Sequence, residues 1–115
     1  MNALTVGILP QEQMRARVRS IAAGGYKPAP DEPKIWFTSL TTLAAVLSDD
    51  NRALLKIIRD REPASIATLA ELCGQRPGRL SRALKLLSNY GMVELKRERG
   101  RIRPIVYASE FLILA

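Results

Sequence analysis

The sequence predicts an α+β fold that is mainly α-helical. Between residues 49 and 90, apolar side chains recur at spacings of three and four, which is typical of helices with one buried face. Short strand-type runs, rich in β-branched or alternating apolar residues, lie before and after this region. A chain of 115 residues can bury a core without disulfides or metals, so we expect one domain, alone or with a small appendage.

The first strand-type run covers residues 4–9 and is ended by Pro10. Residues 11–23 then predict a helix, because Pro10 suits a first turn and the glycine pair 24–25 suits the end. Its apolar stripe consists of Met14, Val18 and Ile21. Three arginines of this helix are two residues apart and cannot share one face, so we expect solvated charge, with phosphate contact as the alternative. These arginines are Arg15, Arg17 and Arg19.

A second strand-type run covers residues 35–38 and holds the only tryptophan, Trp36. It follows a proline-rich connector, residues 26–33. Two such runs that flank a helix predict a β-α-β unit, in which the core strand 35–38 pairs in parallel with residues 6–9. Pairing of these strands across a dimer is the alternative.

Two further helices follow, each introduced by side chains that cap a helix N-terminus. The first is short, and Thr38 or Ser39 caps it. The second begins at residues 48–51, where Asp49 and Asp50 also favour the positive end of the helix dipole. A metal site at these acids is the alternative, but no third ligand lies nearby in the sequence. The buried face of the second helix comprises Ala53, Leu54, Leu55, Ile57 and Ile58.

The next helix covers residues 66–73, begins after the capping residue Ser65 and ends in a glycine-containing turn, Gly74-Gln75. The single cysteine, Cys73, lies at its end, and we expect a buried, inert thiol, with redox sensing as the alternative. One cysteine cannot form an internal disulfide, which fits a reducing cytoplasm. The inward residues of this helix are Ile66, Leu69, Ala70 and Leu72.

Residues 76–90 predict an amphipathic helix that is cationic on one side. Pro77 and Gly78 begin it, and Gly91 suits the left-handed residue that ends it. An ordinary solvated face is the alternative to a ligand-binding one. The apolar face carries Leu80, Ala83, Leu84 and Leu87. The cationic face carries Arg79, Arg82 and Lys85, with Ser81 alongside.

Beyond this helix, residues 92–96 and 104–107 alternate between apolar and polar side chains, with Gly100 between them in a basic segment. This pattern predicts a β-hairpin with a cationic tip. The order helix, helix, helix, strand, basic turn, strand is that of a winged helix-turn-helix, with residues 77–90 as recognition helix and 96–103 as wing. A tip that is only solvated is the alternative to one that contacts phosphate.

The last segment, residues 110–115, is apolar, and we expect it to pack on the N-terminal part or on a second subunit. The sequence therefore predicts two parts. Residues 1–47 form an α/β extension, a β-α-β unit used for dimerisation or partner binding. Residues 48–115 form the winged helix-turn-helix with its apolar C-terminal tail.

The net charge of +7 is concentrated in one quarter of the chain. Between Arg76 and Arg103 there are nine cations and two acids, so the rest of the chain sums to zero. Such a local excess predicts a polyanionic partner, and nucleic acid above all.

Several classes of function are disfavoured by the composition. There is no histidine, which removes the commonest general base and the commonest zinc ligand, so we expect no enzyme, no cofactor and no metal site. No apolar run is long enough to cross a bilayer and no secretory leader is present, so we expect a cytoplasmic protein without a membrane partner.

Four stretches carry a resemblance to a known family, namely 51–55 (NRALL), 69–72 (LAEL), 80–87 (LSRALKLL) and 90–95 (YGMVEL). From Ser48 onward the chain resembles the MarR- and ArsR-like winged-helix DNA-binding proteins of bacteria and archaea. With residues 6–8 and 35–39 included, it is similar to a small prokaryotic family of DNA-binding proteins, some of which resemble antitoxins encoded beside a toxin. The chain departs from the pattern at Gly78, where many relatives carry a polar contact residue. It also lacks the metal-ligand motif of ArsR-type sensors.

The patterns and the resemblance together predict a sequence-specific, dimeric transcriptional regulator that binds double-stranded DNA. The alternative is an antitoxin that neutralises a protein toxin and represses the operon of the pair. RNA binding is less favoured, because the basic segment offers few aromatic side chains on which bases could stack. The residues expected at the DNA are Arg76, Gly78, Arg79, Ser81, Arg82, Lys85, Lys96, Arg97, Arg99, Arg101 and Arg103.

Overall fold

A computed structural model describes residues 3–25 and 32–115, and about half of this part of the chain is helical. The predicted α+β class is confirmed. The elements in order are β1 (Ala3–Ile8), α1 (Gln11–Ala22), β2 (Ile35–Phe37), α2 (Leu40–Val46), α3 (Asp49–Arg61), α4 (Ile66–Cys73), α5 (Pro77–Asn89), β3 (Glu94–Glu98), β4 (Arg101–Ile105) and β5 (Glu110–Leu114). The predicted connector at 26–33 lies largely outside the described residues.

The chain divides into two compact units. Residues 46–109 form one, which we call the basic unit. Residues 3–45 together with 110–115 form the other, which we call the sheet unit.

The sheet unit is built on three parallel strands in the order β2-β1-β5. Val6 of β1 pairs with Ile35 of β2, so the predicted parallel β-α-β unit is confirmed, and it forms within one chain. On its other side β1 pairs with β5, from Ala3 opposite Glu110 to Gly7 opposite Leu114. Of the two places expected for the apolar segment 110–115, it therefore takes the one beside the N-terminal strand.

Trp36 lies directly against the backbone of β1. A Cβ atom at Gly7 would be 2.7 Å from a carbon of the Trp36 ring, so only glycine fits opposite it. The guanidinium of Arg17 lies 5.0 Å from the centre of the same ring, within the range of a cation–π contact. Arg17 also donates a hydrogen bond of 2.8 Å to Oε2 of Glu32.

These contacts correct two expectations for α1. Arg17 is not a solvated charge, because it is held by Trp36 and Glu32. Val18 was expected in the apolar stripe, but it is 56 % exposed. The half-buried residues of α1 are Met14, Arg17 and Ile21. Arg17 therefore takes the place in the stripe that was expected for Val18, and the spacing remains helical.

Three predicted helix caps are confirmed by hydrogen bonds. The N–H of Asn51 donates to Oγ of Ser48 at 3.2 Å, which begins α3. In the same way Ser65 accepts from Thr68 at 3.1 Å at the start of α4. Of the two candidates at α2, Ser39 is the cap.

The basic unit has its own apolar core, drawn from all three of its long helices and from the segment after α5. Two residues expected to point inward do not, because Leu72 is 38 % exposed and Ala53 is exposed as well. The largest buried contributors are Leu54, Leu55, Ile58, Leu69, Leu80, Leu84, Leu87, Met92, Val93 and Pro104.

Candidate nucleic-acid interface

Helix α5 begins where the chain leaves the α4–α5 turn. Gly74 ends α4 in a left-handed conformation, with φ of 66°, and Arg76 is extended. Pro77 occupies the first turn of α5, where its missing N–H leaves no helical bond unmade. Three leucines then anchor the helix to the core, because Leu80, Leu84 and Leu87 are completely buried.

The cations of α5 lie on the side away from these leucines. Arg79, Arg82 and Lys85 are all exposed. Nε of Arg82 donates to the carbonyl oxygen of Gly78 at 3.4 Å, so this side chain is directed back along its own helix. Across residues 3–25 and 32–115, no carboxylate forms an ion pair with any of the three. They form a cationic face that is available to an anionic ligand.

Leu86 is a candidate that sequence reasoning missed. It is 37 % exposed, and it follows Arg82 by four residues and Arg79 by seven, so it lies among the cations. An apolar side chain in that place can contact the methyl group of thymine. The signal in the sequence was that Leu86 falls out of phase with Leu80, Leu84 and Leu87.

The end of α5 fixes where the following hairpin starts. Gly91 has φ of 77°, and its N–H donates to Ser88 O at 3.0 Å. The next N–H, of Met92, donates to Leu87 O at 2.9 Å, which completes a Schellman motif. Met92 and the residue after it, Val93, are 4 % and 3 % exposed. The predicted left-handed glycine cap is confirmed, and the chain enters the hairpin from a buried anchor.

The strands of the hairpin lie closer to its tip than the alternating pattern indicated. The antiparallel pairing runs from Glu94 opposite Ile105 to Glu98 opposite Arg101. The expected strands 92–96 and 104–107 were therefore placed too far from the tip. The cause is that the pairing uses main-chain groups, which continue through charged residues where no apolar alternation marks them.

Only two residues turn the chain at the tip. Arg99 and Gly100 both have positive φ, 50° and 75°, which is the backbone of a type I′ turn. This turn type matches the twist of the two strands, so the tip is narrow and well defined.

The acids of the hairpin neutralise some of its cations. Glu98 lies 3.6 Å from Nζ of Lys96 and 3.6 Å from Nη1 of Arg103. The other acid, Glu94, accepts a hydrogen bond of 3.2 Å from Tyr107. The remaining hairpin cations are exposed and have no acidic partner among the described residues. They are Arg97, Arg99 and Arg101.

Two open grooves show which predicted residues lie together. One is at the α4–α5 turn, and it is lined by Gly74, Gln75, Arg76, Gly78, Arg79 and Arg82. The other lies between the start of α4, α5 and the hairpin tip, where Ser81 shares the lining with Gly100, Arg101 and Ile102. Neither groove has Lys85, Lys96, Arg97, Arg99 or Arg103 in its lining.

Potential metal ligands are not clustered in the part of the chain that the structure describes. Within the described residues, no group of three or more histidine, cysteine, aspartate or glutamate side chains could hold a metal ion. Cys73 is half-buried, with Sγ 3.9 Å from the carbonyl oxygen of Ala70.

A hydrogen bond from Arg59 lowers the pKa of the exposed Asp60 carboxyl. None of the described helices has the length and apolar character needed to span a membrane.

Fold and surface together define an α+β protein whose compact basic unit exposes a cationic helix face and a cationic hairpin tip. The chain belongs to the HVO_A0114 family, because the model of that family matches residues 46–113, more than half of the chain. The match covers both α5 and the hairpin. No curated protein matches the chain.

Proposed function

We propose that this protein is a sequence-specific transcriptional regulator that binds double-stranded DNA through a winged helix-turn-helix of the MarR- and ArsR-like kind. The observation that carries the proposal is the cationic face of α5. Three exposed cations lie opposite three fully buried leucines, and a narrow basic hairpin follows in the same unit. A solvated surface helix needs no such second cationic element beside it.

In this proposal α5 enters the major groove. A helix of 13 residues is about 20 Å long, and the major groove, about 12 Å wide, accepts a helix. Arg79 and Arg82 can each take guanine in two hydrogen bonds, which is worth about 1–3 kcal/mol of discrimination per pair. Lys85 and Ser81 flank them and complete the reading face.

The hairpin acts as the wing and holds the DNA backbone. Arg97, Arg99 and Arg101 have no acidic partner among the described residues, so they are the cations that phosphate can pair with most directly. Arg76, at the mouth of α5, is exposed and can contact phosphate too. Such contacts set the position and orientation of the protein without reading the sequence. Lys96 and Arg103 contribute less, because Glu98 already lies beside both.

One module covers few base pairs, so we expect two copies to act on half-sites about one helical turn apart. A homodimer is therefore part of the proposal.

The test is a comparison of two duplexes across a salt series. One duplex is the region upstream of the protein's own gene, and the other has the same composition in scrambled order. We expect the upstream duplex to bind at least about 10³-fold more tightly, with affinity on both falling steeply as salt rises. A steep salt dependence with equal affinity for the two duplexes would leave a basic surface without sequence reading. Tighter binding to single strands or to RNA would also overturn the assignment.

A further inference from the structure

Strand β5 forms an open edge of the three-stranded sheet. It pairs with β1 on one side only, because the order of strands is β2-β1-β5. Its other side presents main-chain N–H and C=O groups that pair with no strand of the described chain. Natural proteins usually protect such an edge with charges, proline or a bulge. From Phe111 to Leu114, β5 has no charge and no proline, and its pairing with β1 runs without a bulge.

The side chains of β5 are apolar on both faces of the sheet. Successive residues of a strand point to opposite faces, so Leu112 and Leu114 lie on one face, with Phe111 and Ile113 on the other. Three of the four are strongly exposed, at 57 % for Leu112, 46 % for Ile113 and 48 % for Leu114. Among the described residues, the outer edge of β5 therefore has no strand partner, and three of its apolar side chains are largely uncovered.

We propose that a second copy of this chain covers this edge. The two β5 strands pair antiparallel about a two-fold axis that passes beside Leu112 and stands perpendicular to the sheet. This arrangement joins the two sheets into one of six strands in the order β2-β1-β5-β5-β1-β2. It places Leu112 opposite Leu112, Phe111 opposite Ile113, and Glu110 opposite Leu114.

This register is the one that uses the whole strand. A shift by two residues in either direction keeps the faces matched but leaves part of β5 outside the pairing. In the proposed register the two Glu110 carboxylates lie at opposite ends of the strand pair, about 13 Å apart along the strand direction. Parallel pairing would instead set Glu110 beside Glu110, and like charges directly opposite each other destabilise a sheet.

The distribution of charge favours the sheet unit over the basic unit as the place where two copies meet. The sequence of the sheet unit has five cations and four acids, whereas that of the basic unit has thirteen cations and seven acids. Two nearly neutral surfaces come together with little repulsion, while two strongly cationic ones do not. The proposed pairing involves β5 alone, so the cationic face of α5 takes no part in it.

The inference deepens the proposed function by naming the surface that joins two copies. Its test uses no DNA, so its failure and a failure of DNA binding are distinguishable. The first measurement is sedimentation velocity of the full chain over a concentration series. We expect a reversible dimer, and a protein that stays monomeric throughout the series would overturn the proposal.

The second measurement uses Leu112→Lys, with Leu40→Lys as the matched control. Leu40 is on α2 of the same unit and is 58 % exposed, almost the same as Leu112. Leu112→Lys sets two ammonium groups opposite each other at the axis, so we expect dimerisation to weaken at least about tenfold. Leu40→Lys should leave the dimer unchanged. Equal effects of the two substitutions, or no effect of Leu112→Lys, would contradict the pairing.

Mixing and charge reversal test the register itself. Leu112→Lys mixed with Leu112→Glu should form a heterodimer tighter than either variant forms alone, because opposite charges then meet at the axis. At the end of the strand, Leu114→Glu should weaken the dimer, since it meets the partner's Glu110, whereas Leu114→Lys should not. The Leu114 variants also decide the matter where circular dichroism shows that a Leu112 variant has not folded. If Leu114→Glu and Leu114→Lys behave alike, the register is wrong.

Discussion

At the scale of single residues, the cations of α5 differ in how their side chains are held. Arg82 donates to the carbonyl oxygen of Gly78, while Arg79 forms neither an ion pair nor a side-chain hydrogen bond with the described residues. Arg79 also lines the groove at the α4–α5 turn, next to Arg76. Under the proposed function we therefore take Arg79 as the first candidate for contact with a base edge.

We expect Arg79→Ala to lower affinity for the upstream duplex by about 1–3 kcal/mol and to change affinity for scrambled DNA much less, because a base contact is lost. Fluorescence anisotropy with both duplexes measures this difference. Arg52→Ala removes an equal charge from an exposed position on α3 and serves as the control. If the two variants lose the same amount on both duplexes, Arg79 acts only as a charge.

At Arg99, in the hairpin tip, the effect of the charge can be tested separately from the effect of the backbone conformation. Arg99 has φ of 50°, a conformation that asparagine adopts more readily than alanine. We expect Arg99→Asn to keep the type I′ turn and to weaken binding about equally on all duplexes, with the slope of log affinity against log salt reduced by about one. A titration of affinity against salt is the measurement. A selective loss on the upstream duplex would place Arg99 at a base instead of at phosphate.

At the scale of elements, two glycines with opposite backbone requirements lie at the start of α5 and just beyond its end. Gly78 lies in the first turn with helical φ, and a Cβ atom added there would meet nothing within 4 Å. We expect Gly78→Ala to raise the free energy of unfolding by up to about 1 kcal/mol, because alanine has the higher helix propensity. Urea unfolding followed by circular dichroism measures the change.

Gly91 has equally open surroundings but a φ of 77°. The same substitution there should lower the free energy of unfolding by about 1–2 kcal/mol, since alanine is strained in the left-handed conformation. The pair of variants separates backbone conformation from packing. Stabilisation by Gly91→Ala would show that the Schellman end of α5 is not formed in solution.

The elements also show which parts of the fold a sequence can specify. Helices α3 and α4 were predictable, because each joins a side-chain cap to an apolar stripe within a few residues. Helix α5 was predictable from its apolar stripe together with Pro77 at its start and Gly91 just beyond its end. The stripe of α1 was not, because Val18 and Arg17 both fit helical spacing between Met14 and Ile21. The choice depends on Trp36 and Glu32, which are far away in the sequence.

Only part of the candidate interface could be predicted, namely the part that depends on local periodicity. Arg79, Arg82 and Lys85 could be assigned to one exposed face because helical periodicity alone places them there. The ion pair of Glu98 with Arg103 could not be foreseen, because it depends on the register between the two strands of the hairpin. The pair of Glu98 with Lys96 forms within β3, which the alternating pattern ended at Lys96.

At the scale of the whole molecule, the distribution of charge can be predicted from the sequence more easily than the order of strands in the sheet. Charges can be counted, so the basic segment from Arg76 to Arg103 is evident from the amino-acid sequence alone. The neighbours of β1 in the sheet are less evident, because the whole basic unit lies between β1 and β5 in the sequence. An apolar run indicates that it will be covered, but it does not identify the strand that covers it.

The pairing of β1 with β5 also sets an order of events during synthesis. Residues 46–109 leave the ribosome as one contiguous stretch and can fold as soon as they emerge. Residues 3–8 emerge first but wait for their second neighbour until residues 110–114 are made. At roughly 5–20 residues per second, that interval lasts about 5 to 20 s. For this time the strand made first, β1, keeps one edge unpaired, although the basic unit that separates it from β5 can already be folded.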